Sequence, residues 1–199
     1  MKTKMKRLML LISLLLAACG GGTSKPVVAF YGDSITYGTH SADYNVWTPV
    51  RWNPSPVEHI AALADIEALD YSVDGSSAVG ARLRSDNSSV VVIRYGVADR
   101  VRDIHPETFK AGITSLVNEA KSKGKRVILT GLPHTAGLDT SALNYIMMEC
   151  AVALNVEFID IHSLPFDAAT DLADAIHPAE GYSRRIGETI AKYLKEHNG

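Results

Sequence analysis

Three side chains in this sequence have the types and spacing for nucleophilic acyl transfer. Ser34 stands in Gly32-Asp33-Ser34-Ile35-Thr36-Tyr37-Gly38, directly after the apolar run Val27 to Tyr31. Such a run closed by glycine reads as a buried strand leaving through a tight turn. At the start of the next helical turn, backbone N–H groups point toward an anion, which suits the oxygen of an attacked carbonyl. Ser and Asp also serve there as ordinary helix caps, so the serine needs a base before it means chemistry. The candidate is His177, in Asp174-Ala175-Ile176-His177-Pro178. Three residues apart on a turn, the Asp174 carboxylate can fold back to the imidazole Nδ1–H. The other ring nitrogen is then free to take the Ser34 proton. His40, His59, His105, His134, His162 and His197 have no comparable setting and are assigned no role.

Gly-Asp-Ser-Ile-Thr-Tyr-Gly at 32–38 resembles the first block of the SGNH, or GDSL-type, hydrolases, and Asp174-x-x-His177 resembles the last. The rival nucleophile elbow Gly-x-Ser-x-Gly is absent from the sequence. The resemblance implies a serine esterase acting on esters and thioesters, with catalytic residues Ser34, Asp174 and His177 and no cofactor. It also implies an oxyanion hole built from the N–H groups of Ser34 and of Gly75, the latter in Ser72-Val73-Asp74-Gly75-Ser76-Ser77. The third donor of the family is the Asn of Gly-x-Asn-Asp. Here the residues are Gly96-Val97-Ala98-Asp99, so Ala98 fills the Asn position and has nothing to donate. Losing one such donor costs about 10²–10³ in rate. Asn45, Arg94 and Arg100 are the replacements considered from sequence. Tyr44, Trp47 and Trp52, in the insert Thr39 to Pro54, either wall an acyl or sugar pocket or pack the insert itself. Expected substrates are a small-molecule ester, a lipid or an acylated glycan. Acyl transfer to an alcohol is the nearest alternative, followed by a weakly catalytic glycan- or lipid-binding lipoprotein.

These residues need elements to hold them. Strand signals fall at 27–31, 67–73, 90–95, 126–130 and 156–161, and helical signals at 56–64, 107–122, 140–154 and 178–197. Ser55 followed by Pro56 marks a helix start. The alternation predicts an α/β domain with a parallel sheet covered on both faces. The family resemblance adds a three-layer α/β/α arrangement of five strands ordered 2-1-3-4-5. In such sheets the carboxyl ends of strands carry the site.

The chain has 199 residues, enough for one well-buried domain. Its first residues read as a secretory signal over 1–18, with Lys2, Lys4, Lys6 and Arg7 ahead of the apolar run 8–16. Leu16-Ala17-Ala18-Cys19 resembles the lipobox of bacterial lipoproteins, which implies lipidation of Cys19 and a lipid anchor in the cell envelope, at the outer membrane by preference. Residues 19–26 then form a short tether and 27–199 the hydrolase domain. Removing the four basic residues of the signal takes Lys+Arg from 20 to 16 against 22 Asp+Glu, so the net charge moves from −2 to −6. An acidic surface without basic clusters gives nucleic acid no electrostatic footing. Cys150, in an apolar helical stretch, reads as a buried structural thiol. Asp160 with His162 offers too few ligands for a metal. The run Gly75 to Gly80 lacks the lysine of a phosphate loop, with Ala81 in its place. Asn87-Ser88-Ser89 is read as a polar loop despite its sequon pattern.

Overall fold

The computed structural model describes residues 24–43 and 46–197. The signal-like segment, Cys19, Tyr44 and Asn45 lie outside the described residues. Five parallel strands form the main sheet: β1 (Val27–Gly32), β4 (Glu67–Asp70), β5 (Val90–Arg94), β6 (Arg126–Thr130) and β7 (Glu157–Ile159). Their spatial order is β4-β1-β5-β6-β7. Counted among the sheet's own strands this is 2-1-3-4-5, the order expected.

The period of two along each strand sorts side chains to two cores. Val28 and Phe30 of β1, with Val90 and Val92 of β5, face helices α2 (Pro56–Ala64) and α7 (Glu180–His197). Ala29 and Tyr31, with Val91 and Ile93, face α4 (Pro106–Ser122) and α5 (Ser141–Leu154). β5 is buried at all five positions, which explains why Val90 to Ile93 is continuously apolar rather than alternating. Helix α2 starts as its sequence indicates. The Ser55 hydroxyl accepts from the Glu58 N–H, the Glu58 carboxylate accepts from the Ser55 N–H, and Pro56 occupies the first turn. Cys150 is buried in the α4–α5 core, and burial pushes its thiol pKa up, as suits a packing residue.

Several boundaries differ from the sequence reading for local reasons. β4 stops at Asp70 instead of Val73 because the Asp70 carboxylate accepts the Ser72 N–H at 3.0 Å, a side-chain turn that bends the chain. Likewise β7 ends at Ile159, where Asp160 accepts the N–H groups of His162 and Ser163. These same bonds account for Asp160. Pro178 bridges to Leu172 instead of opening the last helix, which begins at Glu180. Three one-turn helices also appear: α1 (Ser34–Tyr37), α3 (Val97–Val101) and α6 (Ala168–Asp171). The insert after α1 contains an antiparallel hairpin of β2 (Thr39–Ser41) and β3 (Pro49–Arg51), for which the sequence carries no strand signal.

Candidate active site

β1 delivers Ser34 to the carboxyl edge of the sheet. Its last residue, Gly32, has no room for a side chain: a Cβ there would sit 2.1 Å from Thr36 Oγ1 and 2.6 Å from the Arg94 carbonyl oxygen. Asp33 caps α1 by accepting the Ile35 N–H at 3.1 Å. This leaves Ser34 as the first helical residue, only 6% exposed. Its Oγ lies 3.1 Å from His177 Nε2. On the other side of the ring, Nδ1 lies 2.9 Å from Asp174 Oδ2 and 3.0 Å from Oδ1. With Nδ1 donating to the carboxylate, Nε2 carries the lone pair that accepts from the serine hydroxyl.

Asp174 is held by more than the imidazole. Its oxygens accept N–H bonds from Ile176 and His177 at 2.8 Å each, and from Ser41 of β2 at 2.8 Å. Burial works to raise the carboxyl pKa, but these bonds and the nearby imidazole outweigh it and hold the pKa below the usual range. The Ser41 bond is the point at which the unforeseen hairpin enters the site. The hairpin is itself fixed by a flat stack of Trp52 on His40, 3.5 Å between ring centroids, and by Trp52 Nε1–H donating to the Pro178 carbonyl at 3.4 Å.

Two buried carboxylates that the sequence reading passed over hold the surrounding loops in register. Asp33 is fully buried and, besides capping α1, accepts the N–H groups of Val97 and Ala98 at 3.0 and 3.2 Å. Asp99, also fully buried, accepts the Ser77 hydroxyl and the Ala78 N–H. The Ser76 hydroxyl in turn donates to the Gly32 carbonyl at 2.9 Å. The loops after β1, β4 and β5 are thereby tied to one another. Burial pushes both carboxyl pKa values up, against their hydrogen bonds. Behind Asp33 lies the buried Arg94, whose pKa burial lowers to about 10. The signal for Asp33 and Asp99 was present as Asp beside Ser34 and beside Ala98, but sequence alone does not say which N–H groups a carboxylate will meet.

Ser34, Gly75 and His177 line one cavity of about 340 Å³, whose other walls include Trp47, Val97 and Val101. Gly75 adopts φ +65°, a left-handed conformation natural to glycine. Among the described residues, neither the Ser34 nor the Gly75 N–H donates to a protein acceptor. Two residues lining the cavity thus carry backbone donors with no protein partner. Ala98 lines the cavity too, but its N–H is taken by Asp33.

Of the candidates for replacing the missing Asn, the two described ones, Arg94 and Arg100, do not line the cavity. Arg94 is buried and donates to Thr36 Oγ1 at 3.0 Å. Arg100 turns to the Asp139 carbonyl and to Asp103. Asn45 lies outside the described residues. Of the insert's aromatics, Trp47 walls the cavity, with its ring 5.5 Å from that of His177, whereas Trp52 packs the hairpin and borders a different, water-sized cavity. Tyr44 lies outside the described residues.

A family model described as GDSL-like lipase/acylhydrolase matches residues 30–184, from the end of β1 to the start of α7. The chain belongs to this GDSL-like hydrolase family. No curated protein matches it in sequence. Solved structures share the fold at low identity. An inhibitor-bound aryl esterase from M. smegmatis is 19% identical, with TM-score 0.70 over 86% of this chain and 99% of that one. A family two carbohydrate esterase from Clostridium thermocellum, in complex with cellohexaose, is 18% identical, with TM-score 0.73 over 87% of this chain and 65% of the other. An acetylxylan esterase from Geobacillus stearothermophilus is 18% identical, with TM-score 0.65 over 86% and 94%.

Proposed function

We propose that this GDSL-like protein is a serine esterase that hydrolyses carboxylic esters or thioesters through an acyl-Ser34 intermediate. The observation that carries the reading is the chain of contacts from Asp174 through His177 to the Ser34 hydroxyl, at 2.9 and 3.1 Å. His177 Nε2 takes the hydroxyl proton as Oγ attacks the carbonyl carbon. The carbonyl oxygen gains the negative charge and is met by the open N–H groups of Ser34 and Gly75. His177 then gives its proton to the leaving alcohol or thiol, and the acyl group stays on Ser34 Oγ. A water deprotonated by the same imidazole attacks the acyl carbon, the acid departs, and the proton returns to Ser34. Asp174 keeps the imidazole in the working tautomer throughout and stabilises its charged form.

A short acyl group is the one we favour, held against the apolar wall of Trp47, Val97 and Val101 beside the reacting serine. Solved structures of similar fold include esterases of acetylated or polymeric carbohydrate, which favours an acylated glycan over a lipid as the natural substrate. The lipobox resemblance at Cys19 supports attachment of the protein to a bacterial membrane through that residue.

The test is hydrolysis of p-nitrophenyl acetate and octanoate by the purified protein, with Ser34→Ala alongside. Acetate should be the better substrate, and Ser34→Ala should lower kcat by at least about 10⁴-fold. Equal rates for wild type and Ser34→Ala on both esters would end the esterase reading.

A further inference from the structure

We infer that Arg102 supplies the oxyanion-hole donor that Ala98 lacks. The inference rests on the esterase reading and asks which group completes the hole.

The argument begins with helix geometry. Arg102 closes α3, and its backbone N–H bonds to the Ala98 carbonyl at 3.2 Å, so the two residues lie one turn apart. Residues four apart share a helix face, and a long side chain on a helix leans back toward the N-terminus. One turn rises 5.4 Å, and an extended arginine spans roughly that length. The guanidinium of Arg102 can therefore occupy the level at which an asparagine at 98 would present its amide. The structure places the guanidinium beside the Gly75 loop: Nη2 lies 3.7 Å from where a Cβ on Gly75 would stand. Gly75 carries one of the two open N–H groups, and Arg102 and Gly75 line the same cavity as Ser34 and His177.

The guanidinium is also available. The neighbouring Arg100 is committed to Asp103 and the Asp139 carbonyl. Arg102 forms no ion pair among the described residues, and the carboxylate whose field it feels, Asp99, is occupied by Ser77 and Ala78. Arginine remains charged through any working pH and offers donors in a fixed fork. A charged donor beside a developing oxyanion makes a stronger bond than the neutral amide it replaces.

The closing experiment compares wild type with Arg102→Met, Arg102→Lys and the double variant Ala98→Asn/Arg102→Met on p-nitrophenyl acetate. Labelling of Ser34 by a fluorophosphonate runs beside it. Arg102 is exposed, so these variants should fold, and circular dichroism checks that they do. The expected result is a fall in kcat of about 10²-fold for Arg102→Met with KM little changed. Arg102→Lys should recover part of the loss, and the restored asparagine most of it. Either of two results overturns the inference: an Arg102→Met kcat equal to wild type, or an effect confined to KM. The second would make Arg102 a substrate-binding residue instead. A wild type that neither turns over nor labels would sink the esterase reading itself, and the role of Arg102 with it.

Discussion

Asp174 shows how much of this site depends on backbone donors. Three N–H groups and one imidazole converge on its two oxygens. Because its folded pKa is depressed, the stability it contributes is complete above its ordinary value of 3.8 and is lost as pH falls through the folded pKa. Urea titrations of wild type and Asp174→Asn from about pH 6 to about pH 3 should therefore show a gap in unfolding free energy that narrows in acid. A gap that stays constant would mean the carboxylate is not held as described. In the same variant, the asparagine amide can donate to Nδ1 and favour the wrong tautomer. The kcat for p-nitrophenyl acetate should then fall by about 10⁴-fold, the scale seen when a triad carboxylate is neutralised.

The loops that carry the chemistry are held in place by buried carboxylates. Asp33 receives N–H groups from α1 and from the start of α3, and Arg94 is the buried cation beside it. Asp33→Ala would strand three buried donors and leave the guanidinium without its counter-charge. The expected loss is about 3–5 kcal/mol of unfolding free energy, read by chemical denaturation. A loss below about 1 kcal/mol, the worth of a single ordinary hydrogen bond, would show that the loops are held by packing alone. The four long helices and the central strands were legible because each has a strong local signal, such as the Ser55–Glu58 cap or the unbroken Val90 to Ile93 run. The β2–β3 hairpin had none. Its strands are three residues long and read Thr-His-Ser and Pro-Val-Arg, with no alternation to detect. Its shape depends on the Trp52 stack and on the Ser41 hydroxyl, which donates to the Val46 carbonyl and accepts from the Thr48 N–H. Those contacts exist only after the chain has folded back on itself.

At the scale of the molecule, the sheet separates two ends. The described chain enters β1 at Val27, on the amino edge, and leaves it at Gly32 beside Ser34, on the carboxyl edge. Six residues of parallel strand span about 20 Å. The proposed anchor at Cys19 thus joins the domain at the end opposite the cavity. Cys19→Ala should move the protein from the membrane to the soluble fraction of fractionated cells and leave kcat on a water-soluble ester unchanged. Membrane retention of that variant would reject the lipid anchor. The strand order also places the site. β1 and β5 are neighbours, and the chain leaves β1 toward β4 on one side and β5 toward β6 on the other, so the loops after β1, β4 and β5 meet at one crevice.

Residue type and local pattern determined the nucleophile and base candidates and the parallel α/β class, and the resemblance to the GDSL-type blocks marked the alanine where a donor was expected. Short-range order carries all of these: Gly-Asp-Ser after an apolar run, Asp three residues before His, strands alternating with helices. Only the tertiary structure decided that Ser41 holds Asp174 across 133 residues of chain. It likewise turned Arg94 and Arg100 away from the cavity and left Arg102 facing it. The physical reason is that a side chain's partner is set by which backbone N–H or carbonyl reaches it in space. Where neighbours are far apart in sequence, composition and spacing hold no record of that meeting.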